Sequence, residues 1–173
     1  MKFHIPFSSK SIDYTEDELL DIQNSAKNLN PLTMGKKIID FEKKFEKFIN
    51  KKYAFAVNSA TSALELTAQI CNFKNDEEII MPSHTYTSSC YPFIKNGAKI
   101  VWADIDLDTR VVSDESIMKL ITEKTKAVLI THLYGYLKDL KNLKEKLDEK
   151  KIILIEDAAQ AIGTKLEDKS VGT

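Results

Sequence analysis

Toward its C-terminal end the chain reads Lys151-Ile152-Ile153-Leu154-Ile155-Glu156-Asp157-Ala158-Ala159-Gln160-Ala161. An aliphatic run without polar alternation leads into two acids and then into small residues. Such a run is what a parallel strand buried on both faces requires. In open parallel sheets ligands bind beyond the carboxyl ends of the strands, so the residues after the run are candidates for chemistry. A carboxylate at that place is costly unless paired. Asp157 therefore either meets a ligand or caps the next turn. Gln160 lies three residues on, and a helical turn would put both side chains on one face.

Four further β-rich runs precede this one: Tyr53 to Val57, Glu78 to Met81, Lys99 to Trp102 and Lys126 to Thr131. The intervals between successive starts (53, 78, 99, 126 and 151) are 25, 21, 27 and 25 residues. Hairpins need far less chain, whereas a strand, a covering helix and a parallel return strand need about 30 residues. Between the runs the apolar spacing is helical. Ile38, Phe41, Phe45 and Phe48 form one stripe, and Leu64, Ala68 and Cys71 form another. Asp139, Leu140, Leu143 and Leu147 mark a helix before the last run. Ser59, Thr61 and Ser62 are candidate N-caps for the second stripe, with a capping-box spacing from Ser62 to Glu65. The expected fold is α/β: a mostly parallel sheet with helices on both faces, in three layers.

Two more loops come after strand-like runs. Asn58-Ser59-Ala60-Thr61-Ser62 opens a helix with small hydroxyl residues, an arrangement that leaves backbone N–H groups for a phosphate or serves as an ordinary cap. Pro82-Ser83-His84-Thr85-Tyr86-Thr87 offers Tyr86 either as a stacking surface for a flat ligand or as a rim side chain. His84 has no partner identifiable from sequence and reads as a loop histidine.

Composition removes several classes of function. The 173 residues are 43% hydrophobic with 5 Gly and 4 Pro, which suits one globular domain or most of one and excludes low-complexity character. With 25 Lys plus Arg against 26 Asp plus Glu, the net charge of -1 and the absence of a basic cluster argue against nucleic acid as a partner. No aliphatic run is longer than that of Ile152 to Ile155, far too short to span a membrane. No apolar targeting segment comes after Met1-Lys2-Phe3-His4-Ile5-Pro6. Cys71 and Cys90 are isolated, which makes a reducing cytoplasm the expected compartment. Neither G-x-x-x-x-G-K nor G-x-G-x-x-G occurs, which weighs against ATP and NAD. Asp104, Asp106, Asp108 and Glu115 mimic the acidic positions of a calcium loop, but Thr109 stands where the tight turn needs glycine and a strand precedes where a helix is required. The histidines and cysteines have no zinc-ligand spacing.

Taken together, these stretches resemble the DegT/DnrJ/EryC1/StrS family of sugar aminotransferases, which are fold-type I enzymes dependent on pyridoxal phosphate (PLP). The matching segments are Phe41-Glu42 with Phe45, Val57 to Leu64, Met81 to Tyr86, Gly97-Ala98-Lys99, Thr125-Lys126-Ala127, His132-Leu133-Tyr134-Gly135 and Glu156 to Ala161. The resemblance implies that Ala60, Thr61 and Ser62 hold the PLP phosphate and that Tyr86 stacks on the pyridine ring. It further implies that Asp157 pairs with the ring nitrogen and that Gln160 bonds the phenolic oxygen. The implied reaction transfers an amine from an amino acid, usually glutamate, to a nucleotide-linked keto-sugar, in a homodimer. The relative that dehydrates sugars, with histidine in place of the Schiff-base lysine, is the alternative, and a non-catalytic fragment is another.

The chain departs from the family at Asn75, where glycine is usual. The Schiff-base lysine is expected beyond Thr173, since Lys165 and Lys169 come too soon after the acid motif to take that role. Residues 1–173 are accordingly expected to be an N-terminal segment plus part of the large domain, lacking later strands and the small domain, and inactive alone.

Overall fold

The computed structural model describes residues 13–28, 31, 33–167 and 169–172. The segment from Met1 to Pro6 lies outside them. Two helices, α1 (Glu16–Asn28) and α2 (Lys36–Phe48), precede the α/β unit and bury none of their side chains fully. The unit then runs α3 (Ala60–Cys71), β1 (Glu78–Pro82), α4 (Thr87–Lys95), β2 (Lys99–Ala103), α5 (Asp114–Leu120), β3 (Thr125–Thr131), a 3-10 turn (Leu133–Gly135), α6 (Lys141–Glu149) and β4 (Ile153–Asp157). A two-stranded antiparallel hairpin, β5 (Lys165–Leu166) and β6 (Lys169–Ser170), comes last.

The main sheet has the order β2-β1-β3-β4 and all of its pairings are parallel. Successive side chains on a strand point to opposite faces, and here both faces are apolar. Ile79, Met81, Ala127 and Leu129 pack with Leu64, Ala68 and Phe93 on one side. Ile80, Val128 and Ile130 pack with Ile117, Leu143 and Leu147 on the other. Helices α3 and α4 thus cover one face and α5 and α6 the other, giving the expected three layers. Phe73 and Phe93 add an edge-on ring contact with centroids 6.0 Å apart, a geometry that aromatic quadrupoles favour.

Two expectations need correction. Residues Tyr53 to Val57 form no strand among the described residues. Their β-branched and aromatic character is real, but a strand exists only when a neighbour accepts its backbone hydrogen bonds. Here the N–H of Ala56 donates to the Glu42 carboxylate at 2.8 Å, and Phe55 stands 81% exposed. The second concerns the stretch after β4. The strand starts at Ile153, continues through Asp157 and gives way to turns, not to a helix. Small residues there allow successive tight turns, closed by Ala161 N–H to Ala158 O and Thr164 N–H to Ala161 O.

The opposite end of the sheet is fastened by ion pairs. Glu78 is buried, accepts from the Thr122 hydroxyl at 2.7 Å and pairs with Lys99 at 3.1 Å. The Thr122 hydrogen bond chiefly, opposed by burial and then aided by Lys99, holds its carboxyl below the ordinary value of 4.5. A depressed folded-state pKa contributes stability that is present above the unfolded value and lost as pH falls through the folded one. Replacing Glu78 with Gln should therefore flatten the acid limb of stability below pH 4.5, as read from urea midpoints against pH. Phe93→Ala should lower unfolding stability by about 3–5 kcal/mol through the cavity it leaves. Leu107→Ala, at a 74% exposed position, should shift it by less than about 0.5 kcal/mol. Both are measurable by chemical denaturation.

Candidate active site

At the carboxyl ends of the strands a depression is lined by Ala60 and Leu64 of α3, Tyr86 and Ser88 around the start of α4, Thr131 to Leu133, and Asp157, Ala159 and Gln160. Each element delivers its residue for a local reason. Ser59 caps α3, its hydroxyl accepting the Ser62 N–H at 3.1 Å, while its carbonyl accepts that of Ala63. The N–H groups of Ala60 and Thr61 are thereby left as first-turn donors that the helix does not use. Tyr86 is the N-cap residue of α4, with extended backbone, and its ring is 66% exposed at the rim of the depression.

Asp157 ends β4 and is 7% exposed. Its carboxylate is held twice. Oδ2 accepts from the hydroxyl of Ser89 at 2.6 Å, and Oδ1 accepts from the N–H of Ala159 at 3.2 Å. Gln160 sits on the turn after the strand, and its Oε1 accepts the N–H of Tyr134 at 2.8 Å. That bond occupies the acceptor half of the amide and leaves Nε2 as a donor. Tyr134 has φ of 58° and Gly135 of 84°. The left-handed region is unfavourable for a bulky residue such as Tyr, and backbone strain of this kind concentrates where function over-determines the geometry.

Of the residues expected from sequence, Ala60, Tyr86, Asp157 and Gln160 line the same depression. Thr61 and Ser62 are not among the lining residues, although they share the first turn of α3. Ser62 is engaged in the cap through both its N–H and its hydroxyl, the latter 3.1 Å from that of Ser59. His84 is exposed, with its ring centroid 6.2 Å from that of Tyr134. The lining residues include no lysine. Asp106 of the calcium-like stretch instead accepts the N–H groups of Asp108 and Thr109 and the Thr109 hydroxyl, closing its own loop.

Two neighbours of these residues are not singled out for a role by the sequence. Ser89 is fully buried beneath Asp157. A polar residue four positions before the buried Phe93, on the apolar face of a helix, is the signal that could have found it. His132 is 2% exposed, lines the depression and places Nε2 2.9 Å from Glu156 Oε2. The backbone N–H of His132 also donates to the Asp157 carbonyl at 3.0 Å, which registers β3 against β4 at the site.

Comparison with known proteins places the chain in a family and a fold. The model of the DegT/DnrJ/EryC1/StrS aminotransferase family matches residues 13–173. A GDP-perosamine synthase from Vibrio cholerae is 39% identical over 139 residues, covering 80% of this chain and 38% of that protein. A GDP-4-keto-6-deoxy-D-mannose 3-dehydratase from Yersinia pseudotuberculosis is 30% identical, covering 99% of the chain and 45% of that protein. Among solved structures, the E. coli GDP-4-keto-6-deoxy-D-mannose-3-dehydratase with bound hydrated PLP superposes with a TM-score of 0.82 at 27% identity, over 97% of this chain and 44% of that one. An aminotransferase from Psychrobacter cryohalolentis gives 0.84 at 29% identity, over 96% and 42%. The chain spans less than half the length of these relatives. With the family model matched from Asp13 to its last residue, and a parallel sheet that presents a buried acid at a strand end, the chain belongs to the DegT/DnrJ/EryC1/StrS aminotransferase family.

Proposed function

We propose that residues 1–173 form the first part of a PLP-binding large domain, whose remaining strands and small domain lie in polypeptide beyond Thr173. In this reading the intact protein transfers an amine from an amino acid donor, glutamate, to a nucleotide-linked keto-sugar. It acts as a cytoplasmic homodimer in polysaccharide or lipopolysaccharide synthesis. The observation that carries the reading is the buried Asp157 carboxylate, at the end of a parallel strand, sharing one depression with Gln160, Tyr86 and the start of α3. No helix among the described residues is long and apolar enough to cross a membrane.

The donor set suits the cofactor. Backbone N–H groups at a helix N-terminus attract a phosphate, and Ala60 and Thr61 supply two, with the Ser62 hydroxyl beside them. The exposed face of Tyr86 offers a stacking surface for a flat ring. The free Nε2 donor of Gln160 matches a phenolate oxygen. An ionised carboxylate favours the protonated state of a neighbouring base, so Asp157 would keep the pyridine nitrogen cationic. PLP, when bound, supplies the electron sink for the carbon that carries the amine. With the cofactor in place, Asp157 would hold a proton at the ring nitrogen, Gln160 would fix the ring's rotation, and Tyr86 would exclude water from one face. The lysine that moves the proton is expected beyond Thr173, with neither Lys165 nor Lys169 taking its place.

A second reading, sugar dehydration, is supported by the relatives that carry that name. The two part at the Schiff-base position in the continuation of the sequence, where lysine supports transfer and histidine supports dehydration. For either chemistry, Asp157→Asn in the intact gene product should keep the fold and weaken PLP affinity by about tenfold or more, since hydrogen bonds to charged groups contribute about 1.5–3 kcal/mol. Absorbance titration with PLP reads the effect, and an unchanged affinity and spectrum would remove Asp157 from the site.

A further inference from the structure

We propose that Ser89 is a positioning residue for the Asp157 carboxylate, and that cofactor affinity depends on its hydroxyl. The inference rests on the PLP reading above and adds to it a residue that does not line the depression. Ser89 is fully buried, and its Oγ lies 2.6 Å from Asp157 Oδ2. A serine hydroxyl has one proton, and here it goes to the carboxylate. The N–H of Ala159, a donor that cannot reverse, takes the other oxygen at 3.2 Å. One donor on each oxygen fixes the rotation of the carboxylate about its terminal bond, where side-chain torsions are otherwise broad. The remaining lone pairs then keep a constant direction.

The serine is itself well placed. Its N–H donates to the carbonyl of Tyr86 at 2.8 Å, within the first turn of α4. Phe93, further along the same helix, is fully buried in the core. A single helical turn therefore carries both the exposed Tyr86 ring and the buried hydroxyl that orients the acid, so the two move as one body. The purpose of a polar group in this otherwise apolar layer is the carboxylate above it. Groups that bind a cofactor hold their geometry only when a supporting shell locks them.

The test is a double-mutant cycle on the intact gene product, read as PLP dissociation constants from absorbance titration in the absence of amino acid. Ser89→Ala should weaken PLP binding by about tenfold, the loss expected from a hydrogen bond to a charged group. Ser89→Thr, which keeps the hydroxyl, should stay within about threefold of wild type, a shift under about 0.7 kcal/mol. In an Asp157→Asn background, Ser89→Ala should cost less than about twofold, because two residues acting through one interaction are not additive. A merely structural serine would give the same loss in both backgrounds, and that result overturns the proposal. So does a Ser89→Ala protein that binds PLP like wild type. If Ser89→Ala does not fold, Ser89→Cys, close in shape but a weak donor, takes its place in the cycle with the same criteria. Wild-type protein that takes up no PLP sinks the functional reading together with this one, whereas normal uptake with additive losses sinks this one alone.

Discussion

A carboxylate withdrawn from water at the end of a strand has to receive hydrogen bonds from its own fold, and the way Asp157 receives them organises the site. One donor comes from the next turn of its own chain, the Ala159 N–H. The other comes from α4, a helix 68 residues earlier in sequence. Bringing the two together requires α4 to pack over the sheet, where the apolar residues of β1 and β3 close one face against α3 and α4. The large apolar layer and the small polar contact are therefore one construction. Loosening the layer would move the hydroxyl away from the acid, and moving the acid would leave a buried charge unsatisfied.

The same logic governs the other rim. The strained turn at Tyr134 and Gly135 is held by β3 below it and by Gln160 across it. His132, at the start of that turn, links β3 to β4 through the Asp157 carbonyl and through Glu156. Glu156 in turn accepts the N–H of Gly172 at 3.1 Å, so the segment after the site is fastened to the strand that carries it. Adjacent acids thus take opposite duties. Asp157 faces the depression, and Glu156 anchors the C-terminal hairpin.

Much of this is legible in the sequence because its signals are periodic. Unbroken aliphatic runs at crossover spacing imply a parallel sheet, and the runs at Glu78, Lys99, Lys126 and Lys151 are its strands with small changes of boundary. The run at Tyr53 is not, since propensity specifies what a strand tolerates and only a neighbour's backbone can make it one. Asp157 and Gln160 stand out as polar residues after an apolar run. Ser89 does not, because a lone polar residue on an apolar helix face registers only as a gap in the hydrophobic periodicity. The turn after β4 reads as helical from sequence alone, since Asp and Gln three apart satisfy a tight turn as readily as a helix.

The parallel arrangement also has a kinetic side. Adjacent parallel strands cannot be closed by a hairpin, and the pairing of Glu78 with Thr125 skips over β2 and spans 47 residues (125 minus 78). Loops of that length must close before any pairing repays them, which makes such sheets slow to assemble. During synthesis, the segment around Ile79-Ile80-Met81 emerges before β3 and β4 can complete the sheet beside it. In that interval it is sticky, extended and unprotected. The half-made sheet, rather than the finished one, is therefore the species most exposed to association with other chains.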